Sequence, residues 1–155
     1  MVNDPYILPP VLWFGLLCHG VTADPAGRPT FQGVFNQVAY LEPPADTGIP
    51  PHGALAGLLA VGFSNGLGHF MADIEIRDAG DALLWARQKP WAFDVGPGLP
   101  SAVLVEMLRY WLRMPGLYRI VVRLPVLDRT YEIPFEVARV IGPASVAPPQ
   151  APEAE

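Results

Sequence analysis

Three histidines, one cysteine beside the first of them, and four tryptophans are the residues of this 155-residue chain best suited to chemistry. His19, His52 and His69, with Asp24 near the first, form the set that could hold a metal ion and support a metal-dependent enzyme. No two of them have the i,i+2 or i,i+4 spacing that presents a pair of ligands together, so the fold would have to gather them. The plainer alternative is a partly buried His19 satisfied by backbone and two loop histidines. Cys18 and His19 are adjacent. Neighbours in a strand point to opposite faces, so these two cannot work as nucleophile and base. Neither Ser64 nor Ser101 lies in a G-x-S-x-G elbow, and Ser145 falls in the Pro/Ala-rich C-terminal stretch. Gly62, Gly66 and Gly68 are followed by no lysine and no helix start, so they make no phosphate loop. No catalytic residue is assigned, and no cofactor is expected.

The aromatic residues give a different possibility. Trp91 and Phe93 fall in Lys89–Pro100, a proline-bearing segment read as a loop, and Trp111 takes the opposite parity to Tyr110 in the next element. Exposed tryptophans stack on sugars or anchor protein interfaces, and they also close the ends of β domains. Trp91, Phe93 and Trp111 are therefore the candidate contacts for a small ligand, a glycan or a protein partner.

Elements that could position these residues are short and alternating. Tyr118, Ile120, Val122 and Leu124 share one face behind Pro115-Gly116, with Arg119 and Arg123 on the other, as in a half-buried strand. Phe70, Ala72, Ile74 and Ile76 alternate with Asp73, Glu75 and Arg77 in the same way, and Tyr131, Ile133, Phe135 and Val137 with Glu132 and Glu136. Pro134 marks that last strand as an edge. Val11 to Thr22 is almost continuously apolar, which predicts a strand covered on both sides. Asp24-Pro25-Ala26-Gly27 is a turn, and its partner strand, Pro29 to Tyr40, changes phase near Asn36-Gln37, which predicts a bulge. Glu42 to Gly53, with four prolines, is expected to cross between sheets. Gly53 to Ser64 alternates large residues with Ala54, Ala56, Ala60 and Gly62, so its second face is small. Ser101 to Arg113 fits a strand or a helix. The strand is chosen because a Pro-Gly turn and a clear strand follow, although Glu106 interrupts its apolar row. The sum is an all-β, two-layer antiparallel β-sandwich, immunoglobulin-like or jelly-roll-like, of about eight strands. It is expected to fill residues 1–141 as one domain, with a disordered tail over 142–155.

Composition narrows the classes. Hydrophobic residues make up 51% of the chain and charged residues 16%, below the roughly 25% of a typical soluble domain, which points to a large core and a buried partner surface. Net charge is -5 and the arginines are scattered, so nucleic acid is excluded as a partner. The single cysteine gives no reason to expect an oxidising compartment. Val11 to Cys18 resembles a signal-peptide core, but no lysine or arginine precedes it, and it is far shorter than the ~20 residues that span a bilayer. A cytoplasmic protein with no membrane partner is expected.

Several segments taken in order resemble a known family. They are Cys18-His19-Gly20-Val21, Asp24-Pro25-Ala26-Gly27-Arg28, Gly33-Val34-Phe35-Asn36, Gly68-His69, Asp78-Ala79-Gly80 and Pro115-Gly116-Leu117-Tyr118. Together they resemble a family of small bacterial all-β proteins catalogued only as a domain of unknown function, over roughly residues 11–139. His19 departs from the Cys-Asp pair such sequences often carry. The resemblance implies a single β domain and transfers no catalytic residue. The reading favoured here is a non-enzymatic protein that acts through contacts with a protein partner or with itself.

Overall fold

The computed structural model describes residues 8–139. They form an all-β structure of eleven strands: β1 Val11–Cys18, β2 Gly20–Ala23, β3 Pro29–Gln32, β4 Gln37–Leu41, β5 His52–Ser64, β6 Gly68–Asp78, β7 Leu83–Ala86, β8 Trp91–Val95, β9 Ser101–Leu112, β10 Gly116–Leu124 and β11 Arg129–Arg139. Two 3-10 turns, Ala45–Thr47 and Pro125–Leu127, are the only helical segments among the described residues. The tail expected over 142–155 lies outside the described residues.

Nine strands make one hydrogen-bonded sheet, in the order β1-β5-β4-β11-β10-β6-β7, with β9 on the other edge of β5 and β8 following β7 along β6. The sheet curls into a half-barrel. Its pairings are antiparallel except one: Glu136–Arg139 of β11 runs parallel to Gln37–Tyr40 of β4. The remaining two strands, β2 and β3, form a separate ribbon. This ribbon closes on the expected turn, where the Asp24 carboxylate accepts hydrogen bonds from the backbone N–H groups of Ala26 and Arg28.

The core lies inside the curl. Leu55, Leu59, Val61 and Phe63 of β5 meet Phe70, Ile74 and Ile76 of β6 and Ile120, Val122 and Phe135 of β10 and β11. Phe93 of β8 is stacked on Phe63 at 4.8 Å between ring centroids. No polar side chain is buried among the described residues. The alternating faces expected for β6, β10 and β11 are the observed ones, and 101–112 is a strand.

Four expectations are corrected. The apolar run 11–22 breaks at His19 into β1 and β2. The phase change in 29–40 is a gap between β3 and β4, not a bulge. Gly33 turns the chain there at φ +60, a left-handed conformation that favours glycine. The proline-rich segment 42–53 does not cross between sheets, because Tyr40 and Leu41 pair with Gly53 and His52 of the neighbouring strand. Pro134 does not mark a sheet edge: β11 lies between β10 and β4. Proline fits there because β4 pairs only with residues 136–139, so at Pro134 the side of β11 away from β10 makes no ladder.

Candidate functional site

The residues singled out in the sequence are scattered by the fold. Trp91 and Phe93 are not in a loop. They sit on β8 and face the core, 9% and 6% exposed. Their period-two alternation with Ala92 and Asp94 was masked by the prolines at 90, 97 and 100. Trp111 is 59% exposed on β9, and its indole stacks on His52 with ring centroids 4.4 Å apart. His52 Nδ1 lies 2.9 Å from the Pro50 carbonyl oxygen. His19 stacks on Phe35, and His69 Nδ1 lies 2.8 Å from the Asp94 carboxylate. The three histidines thus have three different neighbourhoods. No group of three His, Cys, Asp or Glu residues among the described ones is placed to hold a metal ion. Cys18 is fully buried, and burial pushes its thiol pKa up, so it behaves as a small apolar residue.

The structure draws attention instead to the outer side of β9. The odd-numbered residues of this strand point away from the core, and Val103, Val105, Met107 and Trp111 form an exposed apolar row interrupted by Arg109. Across the ladder they lie beside Gly62, Ala60, Leu58 and Ala54 of β5. Gly62, Ala60 and Ala54 are small and leave most of the row standing proud, while Leu58 flanks Met107. Further along the same face, Phe14 of β1 covers Gly62 and meets Phe31 of the β2–β3 ribbon edge-on at 4.9 Å. The ribbon shelters one end of the face and leaves β9 open.

The inner side of β9 explains the interruption at Glu106. This residue opposes Leu59 and has core-facing parity. It lies where the two ends of the curled sheet approach, and its carboxylate accepts a hydrogen bond of 2.9 Å from Nε of Arg87, just beyond β7. The Arg87 guanidinium also donates to the Lys89 carbonyl and sits 5.6 Å from the Trp91 ring centroid. One turn of the pleat further, the Tyr110 hydroxyl donates to the Leu84 carbonyl of β7 at 3.1 Å. Side chains therefore clasp the seam between β9 and β7, and no backbone ladder joins the two strands. Three cavities follow this seam. One of about 530 Å³ is bounded by Arg87, Lys89 and Glu106, one of about 200 Å³ by Trp85, Met107 and Arg109, and one of about 150 Å³ by Leu84, Trp111 and Arg113.

Sequence reasoning missed Arg87 and Glu106. The one available signal was the charged residue within the apolar parity of β9.

Compared with known proteins, the chain matches no family model, no curated sequence and no solved structure. No helix among the described residues is long and apolar enough to cross a membrane.

Proposed function

We propose that this protein is a non-enzymatic β domain that works by protein–protein contact through the outer face of β5 and β9. The observation that carries this reading is the exposed apolar row of Val103, Val105, Met107 and Trp111 on the outer face of β9. Isolated apolar residues on a surface are ordinary, whereas three in succession, Val103, Val105 and Met107, with Trp111 beyond Arg109 on the same face of a twelve-residue strand mark a surface that is covered in use. Tryptophan, methionine and arginine, all present on this row, are the residue types enriched at interfaces. A sandwich description, immunoglobulin-like or jelly-roll-like, is supported by the way the β5–β9 and β6–β10–β11 parts of the curl face each other across the core. The resemblance to an uncharacterised bacterial all-β family bears on the fold and leaves the role open, and the lone buried Cys18 agrees with a cytoplasmic location.

Light scattering coupled to size exclusion, with and without chemical cross-linking in the source cell, tests the reading. A stable complex, with itself or another protein, that Met107→Glu disrupts is the expected result. A monomer that cross-links to no partner would overturn it.

A second reading rests on Trp111 and His52, whose stacked rings make a flat exposed platform of the kind that binds a sugar. Trp111→Phe in a glycan array would abolish any retained ligand on this reading; an array with no retained ligand removes it.

A further inference from the structure

We propose that the seam between β9 and β7 is a strand-addition site for an extended, acidic segment of another protein. This names the partner class of the surface described above and so rests on the protein-contact reading.

The first observation is an unfilled ladder. β9 pairs with β5 along its full length and with no other strand, and no backbone hydrogen bond joins its other edge to any described residue. Half of its residues therefore present N–H and C=O groups towards the seam, which is a template for one more strand. The edge is neither short nor interrupted by proline, two devices by which edge strands are commonly blocked.

The second observation is charge. All ten cationic side chains of this acidic protein fall within the described residues. Six of them have a carboxylate partner among the described residues, and Lys89, Arg109, Arg113 and Arg129 have none there. Three of those four line the seam, one in each of its cavities: Lys89, Arg109 and Arg113. The acids nearby are Glu106, already engaged by Arg87, and Asp78 at the far end. A net-negative chain has thus placed most of its uncommitted positive charge along one unpaired strand edge.

Together these features specify the occupant. Residues opposite one another on adjacent strands share a face. The incoming segment would carry apolar residues opposite Val105, Met107 and Trp111, and acids opposite Arg109 and Arg113, which are ~13 Å apart along the strand. Its backbone would satisfy the β9 edge, and its charges would select it. The Tyr110–Leu84 and Arg87–Glu106 clasps hold the seam narrow in the unbound state and must part to admit a strand.

The test uses the full-length protein and two fluorescein-labelled twelve-residue peptides with threonine at every second position. The positions between carry, on one face, valines to meet Val105, Met107 and Trp111 and glutamates to meet Arg109 and Arg113, and the second peptide has lysine in place of both glutamates. Binding is read by polarisation and located by amide hydrogen exchange. The glutamate peptide is expected to bind and the lysine peptide not. Exchange should slow at alternate residues of β9. Arg109→Glu with Arg113→Glu should weaken the glutamate peptide about tenfold or more and admit the lysine peptide. Tyr110→Phe, which loosens one clasp, should strengthen binding. No binding of the glutamate peptide, equal binding of both peptides, indifference to the charge reversal, or protection away from β9 would each overturn the proposal. Concentration-dependent protection of the same β9 amides without peptide would overturn it in favour of a second copy of this chain. If cross-linking reveals a partner that the charge reversal leaves untouched, the protein-contact reading survives and the seam proposal fails alone.

Discussion

The outer faces of the two ends of this sheet are built from opposite materials. On β6, β10 and β11 the outward residues are a lattice of ion pairs. Arg77 donates to Glu75 at 2.7 Å, Arg123 approaches the same carboxylate at 3.4 Å, and Arg119 joins Asp81 to Glu132. Val121 is buried beneath this lattice although it points outward, since long arginine stems cover apolar surface while their heads stay wet. On β5 and β9 the outward residues are mostly small ones, Ala54, Ala56, Ala60 and Gly62, beside an exposed apolar row, and Arg109 there has no carboxylate partner among the described residues. The first face satisfies its own charges and covers its own apolar surface, so it needs nothing from outside. The second does neither. Individual ion pairs at a surface contribute only about 0–1 kcal/mol, so the lattice matters less as a source of stability than as a finished surface.

Substitutions can break or sharpen this contrast. The largest effect is expected where the apolar face is sealed. At Gly62 a Cβ would lie 2.3 Å from the Phe14 ring, so Gly62→Val should destabilise the fold by about 1–3 kcal/mol in chemical denaturation. On the charged face, Glu75 is only 15% exposed and serves two arginines. Glu75→Ala leaves Arg77 with Asp81 alone and should cost about 1–2 kcal/mol by the same measurement.

A pH titration probes the lattice more gently. The hydrogen bond from Arg119 holds the Asp81 carboxyl below its ordinary value of 3.8. A depressed folded pKa means that Asp81 contributes stability above that ordinary value and loses it as pH falls through the lower, folded one. Thermal melts of the native chain and Asp81→Asn should therefore differ near neutral pH and converge as pH falls through the lowered, folded-state pKa of Asp81. The smallest effect on folding is expected at the unfinished face. Met107→Ser should change stability by no more than about 0.5 kcal/mol and yet abolish association, a separation that no lattice substitution should reproduce.

Much of this fold was legible from residue types. β6, β10 and β11 each place charges against one face and apolar residues against the other, and that period fixes both strand and orientation. The breaks in the N-terminal third were not legible. His19 interrupts an apolar run without changing its composition, and Gly33 reads like any strand glycine until its φ is known. β8 was hidden because its flanking prolines speak for a loop more loudly than five alternating residues speak for a strand. The candidate site was the least legible part. Trp91 and Trp111 look alike in sequence, yet one faces the core and the other solvent. Parity distinguishes them only once both strands are known to exist. Arg87 and Glu106 meet because the sheet curls, and curvature is a property of the whole assembly rather than of either segment.

The parallel pairing of β4 with β11 has a consequence for synthesis. The ribosome makes Gln37–Leu41 well before Arg129–Arg139, and β11 is the strand that joins β4 to β10. Until β11 emerges, the N-terminal strands and the β6–β10 group have no ladder between them in the order of this sheet. Pairings between residues so far apart in sequence carry a large loop-closure cost and fold slowly. The nascent chain must therefore carry open strand edges until β11 emerges, and closure of the sheet is timed by that strand.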